Sequence, residues 1–356
     1  MAIRSLTLNF EEMLEILKDT ARVNRAIAHR TIAAQINPTL DEGADLGEIK
    51  TGVDVNTSRA LLYGQGVYGI TPFCQRYPGS FSEEEDSPLR YDAKEALMAD
   101  PFDGTGDYKR TYQTSRIIHP TTLVTKIVRD SVLEPFRPIS AFILDIIDEI
   151  ALVSDGNYLG LFSINTEGDV VEIPCKRIQP PEWKIGDPIF INRRVSFPQV
   201  SFDVQFVQKF LPKQGFSTKQ VHIGGAGLSG LQFFRNYLEP LDSRGDPFRQ
   251  LKPLTILFNC QPDWKTWDVD PSRVFAQALG LSPCTDIYGK HLYANPAVIH
   301  IRDMWHLNGC VFSTSGHLQE HLCELAEEFE ERNPDCKLTN KDYEYADAII
   351  ALARGE

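Results

Sequence analysis

The chain has 356 residues, 42% of them hydrophobic, and a formal charge of −13. That much apolar content can fill a large core in two lobes, and an acidic balance with no compensating basic block argues against a nucleic-acid polymer as partner. Seven cysteines without a Cys-x-x-Cys pair exclude a disulfide framework or a zinc site, and no run approaches a membrane span, so the soluble, reducing cytoplasm is the expected location.

Along the chain, Asn9 followed by Glu12 reads as a helix start with a reciprocal acid. Met13, Leu17, Ala21, Ala28 and Ile32 recur near helical spacing, which predicts an amphipathic helix over 10–36, ended by Pro38. Tyr63 to Gly79, rich in Gly, Tyr and Pro, reads as irregular. Within it, Gly64-Gln65-Gly66-Val67-Tyr68-Gly69 echoes a dinucleotide loop, but it neither follows a clear strand nor opens a helix, so a dinucleotide cofactor is rejected. Glu95-Ala96-Leu97-Met98-Ala99 is strand-like. Apolar runs at 122–127, 140–147, 151–153 and 158–164 follow, with hairpin turns at Ser154-Asp155-Gly156-Asn157 and Thr166-Glu167-Gly168-Asp169. These strands form an antiparallel sheet covered by helices.

Pro180-Pro181 to Pro188 is the most linker-like stretch, and beyond it strands and helices alternate. The expected division is an N-terminal α+β lobe over 1–185, a C-terminal α/β lobe over 186–335 and a tail over 336–356. The last strand is expected within Asn308 to Ser315, and a helix over His317 to Arg332 closes the fold. No internal repeat is present.

The densest chemistry lies in Asp100-Pro101-Phe102-Asp103-Gly104-Thr105. Pro101 disfavours a helical Asp100, and Gly104 permits backbone that other residues avoid, so a tight turn after the strand-like run is expected. Such a turn points Asp100, Asp103 and the Phe102 carbonyl at one spot, a set of hard oxygen donors suited to magnesium. Taken alone, the same residues also describe a plain surface turn. Upstream, Phe81-Ser82-Glu83-Glu84-Glu85-Asp86 reads by itself as a solvated acidic run. Eight histidines are scattered without a nucleophile motif, and His317 with His321 lacks the acid of a His-Glu-x-x-His helix, so both read as surface residues.

Taken in order, Glu-Glu, Asp-Pro-x-Asp-Gly-Thr and the downstream Trp267-Asp268 resemble the magnesium-dependent, lithium-sensitive phosphatases of the inositol monophosphatase superfamily, which includes inositol phosphatases and 3'(2'),5'-bisphosphate nucleotidases. Ile223-Gly224-Gly225-Ala226-Gly227-Leu228 resembles that family's Gly-Ser/Thr-Ala-Ala turn, where free amides at a helix N-terminus face an anion. The resemblance covers about 80–105 and 222–330. It implies a layered αβαβα sandwich of the sugar-phosphatase type and hydrolysis of a small phosphorylated metabolite with two or three Mg2+ ions. A homodimer is compatible with it.

By the same resemblance Glu84, Asp100, the Phe102 carbonyl, Asp103 and Asp268 hold metal. The choice of Glu84 over Glu83 or Glu85 rests on aligning Phe81 with a family aromatic. Glu84 and Thr105 attend the attacking water, and Asp54 is the nearest match to the acid that supports the threonine. Gly104, Thr105, Gly224, Gly225 and Ala226 face the phosphate, and Trp267 packs to fix Asp268. Departures are Asp270-Pro271 after Trp-Asp and Ala278-Leu279-Gly280 in place of a Glu-Ala-Gly-Gly. Lys265 and Lys109-Arg110, cations beside the site, suit a second phosphate. The expected substrate is therefore a 3'(2'),5'-bisphosphate nucleotide, with an inositol phosphate next. The other class left open is a catalytically impaired relative that binds a phosphorylated ligand.

Overall fold

The computed structural model describes residues 7–29, 52–84, 93–104, 119–131, 136–179, 182–184, 186–193, 203–223, 225–241, 256–259, 265–287, 289 and 310–334. Helix α1, Leu8–Asn24, starts at Thr7, whose hydroxyl accepts from the Phe10 amide and whose side chain also bonds Asp155. The expected helix over 10–36 is shorter: α1 gives way to a wider π-type turn, Arg25–His29, and the rest of the predicted span lies outside the described residues. Helix α2 is Gly52–Tyr63, and the segment expected to be irregular contains a single helical turn, α3, Phe73–Arg76.

Seven strands form the first sheet in the order of the chain: β1 Phe81–Ser82, β2 Glu95–Asp103, β3 Thr121–Val128, β4 Arg137–Asp145, β5 Ile150–Ser154, β6 Leu159–Ile164 and β7 Val170–Ile173. All neighbours are antiparallel except β1 and β2, which run parallel with Phe81 opposite Met98 and Ser82 opposite Ala99. The tight turn expected after Ala99 is instead a continuation of β2 through Asp103. The register with β3 shifts between Asp100 and Asp103, so Pro101, which has no amide to give the ladder, sits in an irregular stretch. Gly104 then closes the strand with φ +90, a conformation that disfavours any side chain.

A second, four-stranded sheet takes β9 Pro188–Arg193, β10 Ser217–Ile223, β12 Ile256–Asn259 and β13 Cys310–Ser313 in the order β10-β9-β12-β13, with only β13 antiparallel. Strands β8 Cys175–Arg177 and β11 Leu238–Pro240 make a small separate ribbon. Helices α4 Ala226–Arg235 and α5 Thr266–Leu279 lie between the two large sheets, and α6 Gly316–Arg332 covers the outer face of the second.

Strand alternation produces this layering. Leu97, Ala99, Val124, Phe142, Leu144, Ala151 and Val153 face α1 and α2, whereas Leu123, Ala141, Ile143, Leu152 and Leu161 face α4 and α5. In the second sheet Phe190, Cys310 and Phe312 join the α4–α5 layer, while Ile189, Ile191 and Val311 pack with Phe206, Leu318, Leu322 and Phe329 on the other side. The result is the expected αβαβα sandwich, a mixed α/β fold. The middle helical layer brings α4 and α5 against β3 and β4, and so brings their N-termini to the end of the first sheet where Asp103 lies.

Candidate metal centre

Three separate segments deliver carboxylates to one place. Asp100 and Asp103 come from the irregular end of β2, and Asp268 from the first turn of α5. One carboxylate oxygen from each of the three lies within 4.8 Å of the others. The fourth acid is Glu83, just past β1, whose amide donates to the Ala99 carbonyl at 3.0 Å and whose charge acts on both Asp100 and Asp268. Glu84, the residue selected from the sequence, is the next one along and half-buried. Of the two described acids of this run, Glu83 is the one whose charge and hydrogen bond act on Asp100.

Each carboxylate is held in position. Asp100 is 4% exposed, and its Oδ1 accepts from the Phe102 amide at 3.1 Å. Asp103 lies against the N-terminus of α4, where its Oδ2 accepts from the Gly227 amide at 2.7 Å and from the Thr121 hydroxyl at 3.2 Å. An anion in that position is favoured by the helix dipole and by the unbonded first-turn amides. Asp268 accepts the Lys265 amide at 2.8 Å, closing the start of α5. Trp267 is buried with Phe81, Ala96, Met98, Ile127 and Phe136, which anchors that turn to the first sheet as expected.

The same packing is electrostatically costly. Burial, then Glu83, Asp103 and Asp268, raise the Asp100 carboxyl well above the usual carboxylate range. Burial, then Glu83 and Asp103, raise Asp268 likewise, against the lowering effect of the Lys265 amide and ammonium. Among the described residues, four acids with one nearby ammonium form a set of hard oxygen donors whose mutual repulsion a divalent cation relieves, so the residues fit Mg2+ or Ca2+.

The remaining sequence-predicted residues fall as follows. Phe102 is buried against Ile146 and Val53, so the start of α2 packs beside the acidic turn, and Asp54 next to Val53 is 2% exposed. Gly225 precedes α4, and a β-carbon there would stand 2.2 Å from Asp103 Oδ2, so the two segments are in close approach. Ala226 opens α4 and is buried. Gly104 faces Gly225 across the site. Thr105 and Gly224, with Lys109 and Arg110, lie outside the described residues. Lys265, expected at a second phosphate, has its Nζ 3.5 Å from Glu83 Oε1 and 5.3 Å from the centre of the Trp267 ring.

Gly227 was missed as an amide donor in favour of its neighbours. Its signal is close approach: a β-carbon there would meet Thr121 Oγ1 at 2.1 Å. A second group, His119 with Asp145 and Asp148, brings its ligand-type atoms within 4.8 Å of one another near the same end of the sheet. Asp145 is occupied there, taking His119 Nδ1 at 2.8 Å on one oxygen and the Ile147 and Asp148 amides on the other.

No protein-family model and no curated protein matches the chain. Solved structures do. The extragenic suppressor protein suhB of Bartonella henselae is 10% identical with a TM-score of 0.59, over 89% of this chain and 98% of its own. An IMPase/NADP phosphatase complexed with NADP and Ca2+ is 14% identical, TM-score 0.58, over 90% and 97%. A lithium-chloride-soaked inhibitory complex of Staphylococcal inositol monophosphatase-1 is 14% identical, TM-score 0.57, over 90% and 96%. The chain therefore has the fold of the inositol monophosphatases, over about nine-tenths of its length.

Proposed function

We propose that the protein is a metal-dependent phosphomonoesterase acting on a small phosphorylated metabolite. The observation that carries this reading is the convergence of Glu83, Asp100, Asp103 and Asp268 from three segments on one point of this fold. In this reading Glu83, Asp100, the Phe102 carbonyl, Asp103 and Asp268 hold two or three Mg2+ ions. Bound divalent ions supply positive charge to phosphoryl oxygens and make water acidic enough to ionise near neutral pH. The chain's own groups do the rest. Glu83, in place of Glu84, accepts the proton of the attacking water, while the Thr105 hydroxyl orients that water and Asp54 supports the threonine. Amides of Gly104, Thr105, Gly224, Gly225 and Ala226 bind phosphoryl oxygens. The substrate is a 3'(2'),5'-bisphosphate nucleotide or an inositol phosphate, in keeping with the NADP phosphatase and inositol monophosphatase that share the fold.

The test is phosphate release from adenosine 3',5'-bisphosphate, inositol monophosphate and fructose bisphosphate, with Mg2+, with chelator and with added lithium. Turnover of at least one ester is expected, lost in chelator and reduced by lithium. Glu83→Gln is expected to lower kcat at least a hundredfold and Glu84→Gln less than tenfold, by the usual scale of a single catalytic acid or base. Equal effects of the two substitutions would remove the assignment to Glu83. Activity in excess chelator would remove the metal-dependent reading, and tight binding of a phosphate ester without turnover would favour a ligand-binding relative.

A further inference from the structure

We propose that Lys265 is a tethered counter-ion of the acidic centre, which holds Glu83 in the metal-free protein and gives it up when a divalent cation binds. The lysine thereby sets the affinity of the site for metal. This inference rests on reading the centre as a metal site, and concerns what controls its occupancy.

Three observations support it. The Lys265 ammonium lies 3.5 Å from Glu83 Oε1, with both side chains largely withdrawn from solvent at 17% and 21% exposure. It also lies 5.3 Å from the centre of the Trp267 ring, and that indole is packed among Phe81, Ala96 and Met98. A cation over an aromatic face is held by the ring quadrupole, so the ammonium has a seat that does not depend on Glu83. Finally, Lys265 touches the centre twice by different means. Its backbone amide binds Asp268 Oδ2 at 2.8 Å, and its side chain binds Glu83. The amide contact positions a ligand and carries no net charge. The side-chain contact places a unit positive charge where a divalent ion would bind Glu83.

That charge has opposite consequences in the two states. Without metal it offsets part of the repulsion among these carboxylates. With metal it repels the incoming ion and competes for the same oxygen. A neutral side chain at 265 should therefore destabilise the metal-free protein and tighten metal binding, a pair of effects that a purely structural lysine does not give. The substituted side chain leaves the amide on Asp268 in place.

The experiment uses the full chain stripped of metal, with Lys265→Gln, Lys265→Met and the charge-retaining Lys265→Arg. Mg2+ and Mn2+ affinities are measured by calorimetric titration, and thermal unfolding is followed in chelator. Gln and Met are expected to bind metal roughly tenfold tighter than the parent, as loss of one nearby unit charge implies, and to melt lower in chelator. Arg is expected to stay near the parent in both. Neutral variants that bind metal no tighter than the parent, or melt in chelator no lower, overturn the proposal while leaving the metal site standing. A parent that takes up neither ion overturns the metal-site reading and this proposal together, a result distinguishable from the first because no variant would then bind.

Discussion

Replacing Asp100 with Asn should make the metal-free protein more stable while abolishing its response to metal. Asn keeps the shape and an oxygen to accept the Phe102 amide, so the substitution removes charge and little else. Carboxylate oxygens of Asp100, Asp103 and Asp268 all lie within 4.8 Å of one another. At an effective dielectric near 20, each ionised pair at that distance repels by roughly 3 kcal/mol. Three such pairs amount to about 10 kcal/mol, comparable to the whole stability of a typical domain. Burial and the neighbouring acids raise both Asp100 and Asp268, so the crowding disfavours the charged form of each. Holding a carboxyl protonated near neutral pH still costs free energy, about 1.4 kcal/mol for each pH unit above its unfolded value. Removing the Asp100 charge should therefore recover up to about 5 kcal/mol at about pH 7.5, the cost there of protonating a carboxyl of ordinary value, and raise the melting temperature by several degrees. The sign with pH follows from the direction of the shift. A carboxyl raised on folding favours the folded state when protonated, and that advantage is lost as pH rises from the unfolded carboxylate range through the folded value. Asp100→Asn should thus exceed the parent in chelator at about pH 7.5 and lose most of its lead at about pH 5. Magnesium should raise the parent and leave the variant nearly unchanged. Differential scanning calorimetry at both pH values, with chelator and with Mg2+, measures all of this. A variant that melts at or below the parent in chelator at the higher pH would refute the claim that repulsion dominates the empty centre.

Two further outcomes concern ion pairs elsewhere. Lys126 is 5% exposed, with its Nζ 2.7 Å from Glu12 Oε2 and 4.7 Å from the centre of the Tyr77 ring, while the Tyr77 hydroxyl bonds the same Glu12. Lys126→Met should cost about 3 kcal/mol in urea unfolding by leaving Glu12 without its cation, and Glu12→Gln in the same chain should restore part of it; a loss under about 1 kcal/mol would show the network to be dispensable. The His119 imidazole is raised, chiefly by its hydrogen bond to Asp145, so its contribution is fully present below the unfolded value near 6.5 and is lost as pH rises through the folded value. His119→Ala should accordingly lose about 1 kcal/mol more at pH 6 than at pH 9, and equal losses at the two pH values would exclude a charged His119 in the fold.

What the sequence conveys of this molecule is what local periodicity encodes. The strands of the first sheet are legible because they alternate between two helical layers, and the layered architecture follows from the resemblance carried by the acidic motifs. The end of α1 is less legible. Ala28 and Ile32 continue the helical spacing, yet the helix widens after Asn24, where the Asn24 amide nitrogen is bonded to Thr122 of the sheet. That contact is tertiary and leaves no trace in the spacing of apolar residues. The run at 100–105 reads as a turn because proline and glycine punctuate it. A neighbouring strand that tolerates a register shift lets the chain stay extended to Asp103 instead.

The choice among Glu83, Glu84 and Glu85 shows most directly where local reasoning runs out. Three consecutive glutamates offer no propensity difference, and the surrounding Ser82 and Asp86 do not break the tie. What breaks it is the parallel pairing of a two-residue strand: Phe81 opposite Met98 and Ser82 opposite Ala99 place the next residue level with Asp100. A shift of one position in that pairing would turn Phe81 out of its cluster with Met98 and Trp267 and bring a different glutamate to the centre. The register of the acidic centre is thus set by the burial of an aromatic two residues upstream. Phe81 itself is visible in the sequence, but the residue it packs against lies in β2, and only the fold connects them. The same holds on the other side of the centre, where Gly227 supplies the amide that binds Asp103 because the backbone of α4 comes close enough to Thr121 to exclude a β-carbon. Both carboxylate positions are therefore controlled by how closely neighbouring backbones pack, a property of pairs of segments that no single segment declares.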